Sequence, residues 1–123
     1  MKSENFGTYL RELRMQHTPP ITQEQLAEAV GRGKMTISQF EQGKNAPPRG
    51  ELLDLIIKTL ELDVDKSNKL RFLAAYDRGQ IPSDIEEYFF NNPTICDAIR
   101  LAMNKKEPVD WNKIAAYIGD GND

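Results

Sequence analysis

The chain has 123 residues and a formal net charge of −3, room for one compact domain or for one domain with a small added unit. Its 39% hydrophobic and 28% charged content is ordinary for a soluble globular protein and excludes wholesale disorder. No apolar run approaches the roughly 18–20 residues of a membrane span. The start "MKSENFGTYLREL" has no apolar signal core and Cys96 is the only cysteine, so a cytoplasmic protein with no internal disulfide and no membrane contact is expected.

The segments read as helices in chain order, and none reads as a strand, which predicts an all-α fold. Phe6, Leu10 and Leu13 recur at i, i+4 and i+7, the mark of an amphipathic helix over about 4–16. Pro19 and Pro20 in "HTPPIT" interrupt it. Thr22 with Gln25 forms a capping-box pattern that opens a second helix, buried through Leu26, Ala27 and Val30 and closed by Gly31. After a sharp turn, "GKMTISQFEQG" starts a third helix at Gly33 or Lys34. At about 100° per residue, Ile37, Phe40 and Glu41 face one side and Met35, Ser38, Gln39 and Gln42 the other. The loop "GKNAPPRG" leads to "ELLDLIIKTLEL", a fourth helix with Leu53, Ile56, Ile57 and Leu60 toward a core.

Residues 64–123 read as four further short helices: "DKSNKLRFLAAYDRG" ending at Gly79, "DIEEYFFNN" with Ser83 and Glu86 as a second capping box, "TICDAIRLAMNKK" after Pro93, and a last one capped by Asp110. Ile95, Ile99, Ala102 and Met103 share one face of the third of these, and Trp111, Ile114, Ala115 and Ile118 one face of the last.

Charge is uneven along the chain. Residues 1–62 carry eight basic and eight acidic side chains, residues 63–123 eight and eleven. Within 32–49 the basic Arg32, Lys34, Lys44 and Arg49 are opposed only by Glu41, a local patch suited to a phosphate backbone.

The run "YLRELR…TQEQLAEAVGRGKMTISQFEQGKNAPP" resembles the Xre family of helix-turn-helix proteins, the fold of the lambda-type phage repressors and Cro. The likeness covers about residues 5–63 and rests on "LR", "TQEQLA", "IS" and "EQGK" in order at family spacing. It implies a DNA-binding domain over 1–63 whose third helix enters the major groove. It further implies base contacts by Lys34, Met35 and Gln39, with Lys34 on guanine, Met35 on a thymine methyl and Gln39 bidentate on adenine. Phosphate contacts would come from Gln23, Arg32, Thr36, Ser38, Gln42, Lys44 and Asn45. Arg14 and Glu41 would form a partly buried ion pair clamping the third helix to the first. Arg32 and Gly33 depart from the family, which more often places an apolar residue and a hydroxyl cap there.

The function expected is a sequence-specific transcription regulator, a repressor that binds an inverted-repeat operator on double-stranded DNA as a homodimer. Residues 64–123 would carry dimer or partner contacts. Two alternatives stay open: an antitoxin that autoregulates its operon, and an interaction module that has lost DNA binding. Catalysis is not expected, since Cys96 lacks a nearby histidine base and His17 is the sole histidine. One Cys and one His make no zinc ligand set, so no metal and no cofactor is expected.

Overall fold

The computed structural model of the protein describes residues 4–120. Among the described residues there are eight helices and no strand, an all-helical fold. The chain forms two compact units, residues 1–87 and 88–123. No helix among the described residues is long and apolar enough to cross a membrane.

The first unit is built around helix α1 (Phe6–Gln16). Asn5 caps it, accepting from Thr8 N–H at 2.9 Å while the Thr8 hydroxyl accepts from Asn5 N–H. Helix α2 (Gln23–Ala29) opens on Thr22, whose hydroxyl accepts from Gln25 N–H at 3.0 Å and whose own N–H donates to Gln25 Oε1 at 2.9 Å. Both caps satisfy N–H groups that have no partner inside the helix. Gly31 turns the chain with φ of 71°, a value that glycine adopts without steric cost. Helix α3 (Lys34–Gln42) follows, started by Gly33 in extended geometry with no side-chain cap, and ended by Gly43 in the left-handed region. Helix α4 (Glu51–Thr59) and helix α5 (Val64–Arg78) complete the unit, α5 closing on Gly79.

One core joins all five. Phe6, Tyr9, Leu10 and Leu13 of α1 pack with Leu26, Ala27 and Val30, with Ile37 and Phe40 of α3, and with Leu53, Ile56, Ile57 and Leu60. The core does not end at residue 63, because Leu70, Leu73 and Ala74 of α5 belong to it. Helix α5 is also tied to α1 by polar contacts: Asp77 Oδ2 accepts from Phe6 N–H at 3.1 Å, and Lys69 pairs with Glu4 at 2.7 Å while standing over the Tyr9 ring. Arg78 Nε donates to the Pro47 carbonyl at 2.7 Å and so holds the loop after α3.

The second capping box read from the sequence does not form. Ser83 lies in a turn and its hydroxyl accepts from Gly50 N–H at 3.0 Å, while Glu86 accepts from Arg49 at 2.8 Å. Both groups are spent on distant partners, and helix α6 (Glu86–Phe90) is only five residues long.

In the second unit, Pro93 in helical geometry precedes helix α7 (Thr94–Met103). Asp110 caps helix α8 (Trp111–Gly119), accepting from Lys113 N–H at 3.2 Å. No described side chain from 88 to 120 is buried, and Cys96 is half-buried.

Candidate nucleic-acid interface

Helix α3 is fixed to the body by three kinds of contact. Ile37 and Phe40 are buried, and the Phe40 ring meets Phe6 edge-on with centroids 6.3 Å apart. At Gly7 the backbones of α1 and α3 come together so closely that a Cβ there would lie 2.5 Å from the carbonyl oxygens of both Phe40 and Glu41. Arg14 then grips Glu41 in a two-pronged pair, Nε donating to Oε2 at 2.7 Å and a terminal nitrogen to Oε1 at 3.0 Å. Their side chains are 8% and 4% exposed. A pair so desolvated is tolerable only when its remaining hydrogen-bonding capacity is filled. Here Arg14 also donates to the Ile21 carbonyl at 2.9 Å, and Gln23 Nε2 donates to Glu41 Oε1 at 3.0 Å. No buried side-chain nitrogen or oxygen among the described residues is left without a partner.

That network ties α1, the α1–α2 connection, α2 and α3 into one piece, and it sets which face of α3 points outward. Lys34 and Gln42 are exposed and Met35 is 69% exposed, whereas Thr36, Ser38 and Gln39 are half-buried. The outer row is also cross-linked. Gln42 Nε2 donates to Ser38 Oγ at 3.3 Å, and Asn45 Nδ2 donates to Gln39 Oε1 at 2.8 Å. Lys44 and Asn45 follow in an exposed loop whose backbone N–H groups return to the Gln39 carbonyl at 2.9 and 3.4 Å. Arg32 is exposed at the other end, its guanidinium donating to the Gly31 carbonyl at 3.2 Å.

The structure therefore gathers Lys34, Met35, Gln39, Ser38, Gln42, Lys44 and Asn45 along one helix and the loop that follows. It turns the amide of Gln23 inward to the clamp. Gln39 is half-buried, and its Oε1 accepts from Asn45 with one of its two lone pairs.

The charge of this face differs from a count along the sequence. Glu41, the one acid within 32–49, is neutralised by Arg14, and Arg49 is neutralised by Glu86. Arg32 and Lys34 share a surface hollow with Glu24 and Glu28 of α2. Gly7, Ser83 and Glu86 were not singled out as parts of this site by the sequence. A glycine inside an apolar helical pattern is itself a signal of close backbone approach, and Gly7 carries that signal. The two long-range contacts leave no local trace.

Comparison with known proteins agrees with this geometry. A helix-turn-helix domain family model matches residues 5–70, more than half of the chain and all the elements that hold α3. No curated protein and no solved structure matches the chain. With a matched span that runs from the α1 cap into α5, the chain belongs to the helix-turn-helix domain family.

Proposed function

We propose that the protein is a sequence-specific transcription regulator of the Xre type, a repressor that occupies an inverted-repeat operator as a dimer. The observation that carries this reading is the anchored α3. Its inner face is locked by Ile37, Phe40 and the Arg14–Glu41 pair, and its outer face carries short polar and apolar side chains suited to base edges.

In this mechanism α3 lies in the major groove with its N-terminal residues at the bases. Lys34 donates to guanine O6 and N7, and Met35 covers a thymine methyl. Gln39 pairs with adenine, donating from Nε2 to N7 and accepting from N6–H at Oε1. Arg32, Lys44 and Gln42 meet phosphates beside the groove, with Thr36 and Ser38 at its edge, and these set the register without reading sequence, while the amide of Gln23 serves the clamp. Rigid mounting matters because a base-reading side chain must hold its hydrogen-bond geometry while the wrong base costs about 1–3 kcal/mol per good contact. Repression follows from occupancy, since a dimer spanning two half-sites about 34 Å apart blocks the promoter it covers. On this reading the protein acts by binding its operator.

Selection of bound fragments from a random DNA pool tests the reading. It should return an inverted repeat, and affinity for it should fall ~10³–10⁵-fold between about 50 and 200 mM salt if six to ten phosphates are neutralised. A pool that shows no enrichment, or binding indifferent to salt, rules the reading out.

A further inference from the structure

The segment that follows α5, "GQIPSDIEE" over 79–87, carries the acids Asp84, Glu86 and Glu87 and no cation. It is fastened to the loop that leads from α3 to α4. Ser83 Oγ accepts from Gly50 N–H at 3.0 Å, Glu86 accepts from Arg49 at 2.8 Å, and Arg78, at the root of the segment, donates to the Pro47 carbonyl at 2.7 Å. Asp84 adds a longer contact, 3.8 Å from Arg71.

These fastenings are not equally firm. Arg49, Arg71 and Arg78 all line the space beneath the segment, together with Pro48, Ile81 and Ser83, but its volume is only about 10 Å³, room for no more than one water. A phosphate cannot enter there, so the three guanidinium groups do not make an anion pocket. The Arg49–Glu86 pair lies at the rim instead, with side chains 37% and 40% exposed. Water screens a pair so exposed, and exchanging its carboxylate for another anion costs little.

Arg49 stands near the end of the loop that begins with Lys44 and Asn45. Among the described residues it is the one cation between 32 and 49 that is held in an ion pair, whereas Arg32, Lys34 and Lys44 stand in none. Carboxylate and phosphate oxygens offer a guanidinium the same kind of acceptor. Glu86 therefore occupies on Arg49 the place that a backbone phosphate would take.

We infer that residues 80–86 form an autoinhibitory strap, pinned at Ser83, in which Glu86 competes with DNA phosphate for Arg49 and is displaced when DNA binds. The inference rests on the DNA-binding reading above, and it is tested on a random-sequence duplex of about 20 base pairs, where phosphates alone set the affinity. Salt is held at about 0.15 M, so that charges more than about 8 Å apart are largely screened. Glu86→Gln should tighten binding about two- to fivefold, the worth of one exposed ion pair. Glu87→Gln, the same change of charge at the next residue, should tighten it far less. In the Arg49→Ala background Glu86→Gln should have no effect, which a double-mutant cycle reads directly. Equal gains from the two glutamine variants, a gain from Glu86→Gln that survives without Arg49, or no gain at all overturns the strap. A gain that depends on Arg49, beside a selection that enriches no operator, upholds the strap and removes the sequence-specific reading. A chain that does not bind the duplex overturns both.

Discussion

Asn45 holds the carbonyl oxygen of Gln39 at 2.8 Å, from the loop that follows α3. A free glutamine can both accept and donate and so matches adenine, which offers N6–H and N7. With Oε1 held by Asn45, the Gln39 amide is oriented from outside the helix, while the oxygen keeps a second lone pair for adenine N6–H. On this geometry we propose that Asn45 acts on Gln39 as a positioning residue. Asn45→Ala should therefore change base preference at the same operator position as Gln39→Ala, at a cost of about 1–3 kcal/mol, whereas Lys44→Ala should weaken all sequences alike. Selection from a random pool with each variant separates the two. A uniform loss for Asn45→Ala would return it to the phosphate group.

The Arg14–Glu41 pair should be costly to break and cheap to replace. Glu41→Ala leaves a buried guanidinium with the Ile21 carbonyl and the weakly accepting Met15 sulfur, and should lose roughly 3–5 kcal/mol, seen as a lower melting temperature. Joint replacement by Met and Leu should restore much of the stability. An Arg14–Glu41 pair worth only the 0–1 kcal/mol of a surface ion pair would show that solvent reaches it.

Gly7→Ala sets two effects against each other. Helix propensity alone favours Ala by about 1 kcal/mol. The added Cβ would sit 2.5 Å from two carbonyl oxygens of α3, and backbone cannot swing aside as a flexible side chain can. Overpacking of this kind costs about 1–3 kcal/mol, so a net loss of stability is expected together with weaker DNA binding as α3 is displaced. A stabilised variant would mean that α1 and α3 are not held this closely.

Glu86→Gln should strengthen DNA binding. Glu86 neutralises Arg49 at 2.8 Å, beside the loop carrying Lys44 and Asn45. Releasing that cation should steepen the slope of log affinity against log salt by about one. An unchanged slope in a salt titration would place Arg49 away from the DNA backbone.

The single histidine gives a pH signature. The Pro19 carbonyl raises the pKa of His17 above the ordinary 6.5, with Glu61 assisting and burial opposing. Its surroundings also hold Gln16, Thr18, Asp63 and Lys66. A raised folded-state pKa means that the protonated ring stabilises the fold below pH 6.5 and that this contribution is lost as pH rises through the folded-state value. NMR titration of the ring should give a pKa above 6.5, and Glu61→Gln should lower it. An identical titration curve in that variant would leave the Pro19 carbonyl as the sole cause.

What could be read from the sequence was whatever has a local cause. Thr22 and Gln25 lie three residues apart, and the turn glycines, the 3.6-residue spacing of Leu10 and Leu13, and the inward turn of Ile37 and Phe40 are all set within one or two helical turns. Contacts between distant parts of the chain were not legible. Asp77 reaches Phe6 across 71 positions and Glu86 reaches Arg49 across 37, and no periodicity encodes such meetings. The same limit applies to the outer face of α3. Its composition suggested base reading, but the hydrogen bond from Asn45, six residues beyond Gln39, that orients the Gln39 amide was not legible.

The closure of α1 by α5 also sets a schedule for synthesis. Helix α3 is complete at Gln42, yet Leu70 and Leu73, which finish the core, and Asp77, which ties α5 to α1, are added only afterwards. At 5–20 residues per second a ribosome needs roughly two to seven seconds to cover that distance. Throughout that interval a nascent chain carries a nearly complete helix-turn-helix with an open, apolar back, and the unit closes only once the fifth helix has emerged.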